Sequence, residues 1–201
     1  MRLFLLGATG GTGLALTAQA LERGHEVTAF VRSPDKLKAR HERLRIVTGD
    51  PRDAASLGRA LPGHDAVLSS LGATDRRPTT LLHDCTQSLL SALAQTEIRR
   101  LVALSSALLF PDMGLPGKIF GFVFRNALAD ALVMEQLLAS SPLDWTVLRP
   151  PRLTDGRPRA RYRVAEHAPP ARSITRADLA RAVLDTVEEG GHVKKVIGVS
   201  G

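Results

Sequence analysis

Cysteine occurs once in the chain, at Cys85. A lone cysteine excludes an internal disulfide and any cysteine-rich metal cluster, and it fits a reducing cytoplasm as the expected location. Aromatic residues are scarce, with one tryptophan and one tyrosine. That leaves no stacking platform for bases, so the basic balance, a formal net charge of +7 at neutral pH, does not read as nucleic-acid binding. The arginines are scattered, with local clusters at 76–77, 99–100 and 157–163. A basic surface of this kind attracts anionic small molecules. No apolar run approaches the roughly 20 residues of a membrane span, so no membrane partner is expected. The histidines (His25, His41, His64, His83, His167 and His192) are dispersed without ligand spacing, and no metal is expected. A G-x-S-x-G elbow and a complete Walker loop are both missing.

What is present is alternation. The 201 residues suffice for one well-buried α/β domain and are short for two. Strand-like apolar runs fall at 2–6, 26–31, 44–48, 66–70, 100–104 and 144–148, and amphipathic stretches at 12–23, 53–61, 79–95, 124–140 and 175–188. This order predicts a doubly wound parallel sheet with helices on both faces, its strand C-termini and its ligand along one edge. A last apolar run, 193–199, reads as an added edge strand. Thr175 is an N-cap candidate with Asp178 three residues on, and Gly190-Gly191 reads as the stop of that helix.

The first strand runs into Gly7-Ala8-Thr9-Gly10-Gly11-Thr12-Gly13. A strand that breaks into a glycine loop and then opens a helix is suited to hold a pyrophosphate against free helix amides. Gly7, Thr9, Gly10, Gly11, Thr12 and Gly13 make up the expected phosphate-binding set. Arg2, the apolar stretch after it and Ala18-Gln19-Ala20 imitate a secretory leader. The glycines break its apolar core, so a ligand loop is the expectation.

The residue closing the second strand decides between dinucleotides, because an acidic group there receives the ribose 2′-hydroxyl of NAD. Here the sequence is Phe30-Val31-Arg32-Ser33. Arg32, Ser33 and Lys36 can meet a 2′-phosphate, so NADP(H) is expected in preference to NAD(H). Asp35 is the counter-candidate, but it follows Pro34 and is expected to face solvent. Asp50 and Pro51 at the end of strand three, Leu71, Gly72 and Ala73 after strand four, Ser105 after strand five and Pro150 after strand six complete the expected cofactor surroundings.

Two segments break the alternation. Residues 107–123, rich in phenylalanine, glycine and proline, read as a mobile apolar flap. Residues 152–173 are rich in arginine and proline. Both leave from the ligand edge and are the expected substrate-side walls.

Several segments carry a resemblance. The glycine motif, V-R-S at 31–33, Gly49-Asp50, D-A-V-L-S-S-L-G at 65–72, S-S-A at 105–107, L-D-W-T-V-L-R-P-P at 143–151 and I-T-R-A-D-L-A at 174–180 resemble atypical short-chain dehydrogenase/reductases. The likeness is to the biliverdin reductase B/flavin reductase type first, with NmrA-like proteins next. It implies a Rossmann fold, NADP(H) binding and reduction of a flavin or related planar, tetrapyrrole-like acceptor. The Tyr-x-x-x-Lys pair of the best-known members aligns with Ala127 and Ala131, and histidines of the flavin reductase type align with Ala131 and Arg152. Ser106 matches the serine after strand five and is the expected catalytic residue. Phe110, Pro151 and Arg152 are the expected substrate contacts. Glu135 resembles a structural family position and reads equally as a solvated helix face. Without the tyrosine acid, ordinary carbonyl reduction and sugar-nucleotide epimerisation lose their proton donor. An NADPH-dependent flavin-type reductase and a non-catalytic NADP(H)-binding regulator both remain open, as a monomer or weak dimer.

Overall fold

Leu3 and Leu5 of strand β1 (Arg2–Leu6) are buried in one apolar core, and Phe4 and Leu6 in another. That split follows from the two-residue side-chain period of a strand, and it places β1 in the middle of a sheet covered on both faces. The computed structural model describes residues 1–72, 77–111, 114–166, 168 and 171–201; of Leu115, Pro116 and Lys118 only the backbone is described. Ala73, Arg76 and His167 lie outside the described residues.

The remaining elements follow in chain order. After β1 come α1 (Gly11–Glu22), β2 (Glu26–Val31), β3 (Leu44–Thr48), α2 (Ala54–Ala60), β4 (Ala66–Ser69), α3 (Leu81–Leu93) and β5 (Arg100–Leu104). Then follow α4 (Gly114–Val123), α5 (Arg125–Ala139), β6 (Asp144–Arg149), β7 (Arg152–Thr154), β8 (Arg163–Ala165), β9 (Ser173–Thr175), α6 (Arg176–Glu188) and β10 (Lys195–Ser200). The main sheet has the order β3-β2-β1-β4-β5-β6-β10-β8. Its neighbours run parallel except β8, which pairs antiparallel with β10. Helices α1 and α6 cover one face through Leu16, Ala20, Leu179 and Val183. Helices α2, α3 and α5 cover the other through Leu57, Leu89, Met134 and Leu138. This is the Rossmann-like arrangement the alternation predicts, and strand order reverses at β1, where such sheets open a ligand crevice.

One expectation is corrected. The run at 193–199 is not an edge: β10 lies between β6 and β8, and Ile197 and Val199 are fully buried in the core that α1 and α6 cover. The segment expected to be a flap carries a 3-10 turn at Ala107–Leu109 and helix α4. Segment 152–173 also contributes strands, β7 and β9, which pair with each other outside the main sheet. The last helix begins as expected. The Thr175 hydroxyl accepts the Asp178 amide at 3.0 Å and donates to the Asp178 carboxylate at 2.7 Å.

Candidate active site

The chain leaves β1 through a turn that only glycine tolerates well. Gly7 has a φ of +81°, and a Cβ there would stand 2.7 Å from the Ser70 backbone. A Cβ on Gly13 would fall 2.1 Å from the Gly7 carbonyl oxygen, so Gly13 is what lets α1 press onto the turn. Gly10, the N-cap, is different: a Cβ there would meet only the Gly7 carbonyl oxygen, at 3.5 Å, an ordinary contact. The first-turn amides of a helix have no intrahelical acceptor. Among the described residues no side chain caps them in α1, and no acidic residue occupies its first turn. An uncapped amide nest of this kind fits a phosphate group.

Beside this loop is a cleft of about 110 Å³ lined by Gly7, Thr9, Arg32, Ser33, Lys36, Pro51 and Leu71, with Phe30 and Val31 at its floor. Residues from the ends of β1, β2, β3 and β4 therefore meet at one point on the sheet edge. Arg32 and Lys36 are exposed. Neither has an ion-pair or hydrogen-bond partner among the described residues. Asp35 is exposed and lines a separate open hollow with Pro34, Lys38 and Arg40. That hollow is larger, about 630 Å³, but it holds none of the loop residues. Asp50 is not free. Arg52 grips it through Nη2 at 2.6 Å, through Nε at 3.1 Å and through its amide at 3.0 Å. The Arg52 guanidinium holds that carboxyl down at about 2. Gly72 is exposed beyond Leu71.

On the other side of β1 the ends of β5 and β6 lie together. The Ser105 amide donates to the Leu148 carbonyl at 2.9 Å, and the Ala107 amide to that of Pro150 at 3.0 Å. Ser105 turns its hydroxyl to Glu135, at 2.6 Å. Ser106 accepts the Leu108 amide at 3.3 Å, capping the 3-10 turn, and no acceptor takes its proton among the described residues. Pro150 is buried, Pro151 half-buried and Arg152 exposed.

Sequence alone does not pair Glu135 with Arg149. Glu135 is 7% exposed, not solvated, and meets Arg149 in a two-pronged pair at 2.6 and 3.0 Å. Arg149 also donates to the Leu109 carbonyl at 3.1 Å, and its guanidinium lies 4.8 Å over the Phe110 ring. Phe110 is thereby buried, at 6% exposure, under this cation. The sequence signal for Arg149 is weak: a cation closing a buried strand needs a partner, but nothing local names it. The cluster ties α5 to the ends of β5 and β6 and sets the wall behind Ser106.

Ala131 is buried in the core and Ala127 half-buried on α5. Tyr162 lies elsewhere. Its hydroxyl donates to Asp185 at 2.8 Å, and burial, followed by that bond, pushes its ionisation up. Among the described residues no cluster of three or more His, Cys, Asp or Glu could hold a metal, and no helix is long and apolar enough to cross a membrane.

A parallel sheet that opens a capless glycine loop at its switch point defines a dinucleotide-binding Rossmann domain. The chain belongs to the NAD(P)H-binding family, whose profile matches residues 7–190. Among curated relatives, the uncharacterized protein Rv2047c of Mycobacterium tuberculosis is 29% identical over 74% of this chain. The chain spans 14% of that protein's length. The uncharacterized protein YwnB of Bacillus subtilis is 27% identical over 96% of this chain and 94% of its own. Among solved structures, SP1627 of Streptococcus pneumoniae, a candidate NADH-flavin reductase, superposes with a TM-score of 0.79 at 27% identity, covering 100% of this chain and 99% of its own. A short-chain dehydrogenase/reductase of Veillonella parvula, solved with NADP, gives a TM-score of 0.78 at 21% identity, covering 100% and 94%.

Proposed function

We propose that the protein is an NADPH-dependent reductase that passes hydride to a flavin or similar planar conjugated acceptor. The observation that carries this reading is the cleft that the exposed Arg32 and Lys36 line together with Gly7 and Thr9 of the glycine loop, with no ion pair on either cation and no carboxylate in the lining among the described residues. An NAD-selective site would set an acid there to receive the ribose diol. Two cations and Ser33 instead suit a 2′-phosphate, and the capless first turn of α1 suits the diphosphate.

The bound dinucleotide would supply the hydride. The chain's part is to hold and shield. Gly7, Thr9, Gly10, Gly11, Thr12 and Gly13 would hold the diphosphate, with Pro51, Leu71 and Gly72 along the adenosine side. Pro150 and Ser105 would shape the nicotinamide end, and Asp50 would brace the turn through Arg52. Ser106 keeps a hydroxyl proton to donate and would orient the acceptor. Pro151 and Arg152 would meet the acceptor's outer edge, Arg152 through an acidic substituent such as a phosphate or propionate. Phe110 would act from behind, by holding Arg149.

The acceptor class follows from what the site lacks. Reducing a simple ketone builds charge on one oxygen and calls for a positioned acid. Ala127, Ala131 and the Asp185-bound Tyr162 supply none. A conjugated ring spreads the incoming charge and takes its proton from water, so stacking at reacting distance does most of the work. The likeness to SP1627 supports the same class.

The test follows NADPH oxidation with saturating FMN, riboflavin and biliverdin in turn. Turnover well above the protein-free rate with at least one is the expected result. Tight NADPH binding without turnover on any of them would replace the reductase by a non-catalytic NADP(H)-binding regulator. Localisation to the cytoplasm and a monomeric or weakly dimeric state belong to the same reading, checked by fractionation and by sedimentation.

A further inference from the structure

At Gly11 the space of the missing Cβ is taken by a side chain from another helix. A Cβ built there would stand 2.8 Å from both Cδ and Nε of Arg176. The first residue of α6 thus lays its side chain across the first turn of α1, at the mouth of the amide nest. Its place on its own helix is unfavourable. The positive end of the α6 dipole repels a cation in the first turn. Asp178, the acid of that turn, is already occupied by the Arg159 and Ala160 amides and the Thr175 hydroxyl. Among the described residues the guanidinium has one partner, Asp155, at 2.6 Å through Nη1. Asp155 is 84% exposed, so solvent screens the pair and leaves it easy to exchange. Nε and Nη2 donate to nothing among the described residues. The base of the side chain is fixed, because α1 and α6 are bolted together by Gln19 on the Ala177 carbonyl, at 2.8 Å, and by Arg23 on Asp185, at 2.7 Å.

We propose that Arg176 is a ligand for the diphosphate of the dinucleotide, parked over Gly11 on Asp155 until that anion displaces the carboxylate. The proposal rests on the dinucleotide-binding reading above and adds a positive charge to a loop that otherwise offers amides alone. The dinucleotide diphosphate carries two negative charges against the single charge of Asp155, and a guanidinium fork matches its oxygens in shape. Because Asp155 follows β7 directly, the exchange also frees the start of the substrate-side segment when the cofactor arrives.

Calorimetric titration of the whole protein decides this, with NADPH, NADH and 2′-AMP as ligands. Arg176→Gln is expected to weaken NADPH and NADH by the same factor, about tenfold or more, and to leave 2′-AMP, which lacks the diphosphate, within twofold. Asp155→Asn removes the competitor and is expected to tighten both dinucleotides. Unchanged dinucleotide affinity in Arg176→Gln overturns the proposal while the NADPH-reductase reading stands. A loss confined to NADPH, or shared by 2′-AMP, also overturns it, since the arginine would then serve the adenosine end or the fold. Wild-type protein that binds neither dinucleotide overturns the underlying reading itself. Should Arg176→Gln fail to fold, Arg176→Lys takes its place: it keeps the charge without the fork, a smaller and equal loss on both dinucleotides supports the proposal, and no loss overturns it.

Discussion

Arg32 lines the cleft and makes no ion pair among the described residues, and Asp50, the carboxylate whose charge it feels, is already held by Arg52, so the Arg32 guanidinium is available to a ligand. A charge-assisted contact to a 2′-phosphate contributes about 1.5–3 kcal/mol. Arg32→Ala should therefore reduce the preference for NADPH over NADH by roughly tenfold to a hundredfold, read as the ratio of their dissociation constants. An unchanged ratio would remove Arg32 from cofactor selection. Glu135 makes the opposite case, a charge fully committed inside the protein. It takes both prongs of Arg149 and the Ser105 hydroxyl. Cutting one side of such a buried pair leaves the other uncompensated and costs about 3–5 kcal/mol. Glu135→Ala should lower the stability read from urea unfolding by that amount. Glu135→Leu with Arg149→Met should recover part of it, because the stranded cation is gone. If the double variant were no more stable than the single one, the stranded charge would not be the cause.

Helix α3 starts at Leu81 after a residue that does not cap it. Thr80 spends its hydroxyl on Asp84, at 2.8 Å. The cap comes from another helix: Asp130 of α5 accepts the Leu82 and His83 amides at 2.8 and 2.9 Å. Removing an N-cap acid costs about 0.5–2 kcal/mol, and here it also strands a buried amide. Asp130→Ala should fall at the upper end of that range in urea unfolding, and Asp130→Asn, which keeps one acceptor oxygen, should lose less. An Asp130→Ala midpoint equal to wild type would mean the cap contributes nothing. This cap marks where a sequence stops being informative. The strands are legible because apolar runs such as 2–6 and 100–104 are contiguous, and the α6 cap because Thr175 and Asp178 lie within one turn. The free cations at Arg32 and Lys36 are legible from their distance to the glycine motif. Asp130, Arg149 and Arg176 are not, because each meets its partner across the fold. Helix α4 looks like a flap in sequence because Gly114, Gly117 and Gly121 lower its intrinsic helix preference. β8 escapes notice because Arg163-Val164-Ala165 carries little apolar signal, and without β8 the last strand looks like an edge.

Titration ties these pieces to the stability of the whole molecule. Asp50, Asp65 and Asp84 stand at three different corners: the turn after β3, the approach to β4 and the first turn of α3. Hydrogen bonds from Arg52, from the Arg2 amide and from Thr80 hold all three carboxyls below their ordinary value of 3.8, Asp50 at about 2. Their folded values are depressed, so the stability they contribute is complete above about 3.8 and drains away as pH falls toward 2, where the unfolded chain binds protons first. At the alkaline end the sign reverses. Burial pushes the Cys85 thiol from 9.0 up to about 12, and the Tyr162 hydroxyl also rises above its ordinary 10.0. Raised folded values give stability that is complete below the unfolded ones and is lost as pH climbs from about 9 toward 12, because the unfolded chain ionises first. Urea midpoints should therefore form a plateau between about pH 4 and 9 with a fall on each side. Protonating carboxylates on a chain already at +7 adds self-repulsion to the acid fall, so added salt should soften that limb more than the alkaline one. Asp50→Asn should shift the acid fall without moving the alkaline one, and Cys85→Ala should do the reverse. If Asp50→Asn moved both limbs equally, its effect would be on packing and not on a proton.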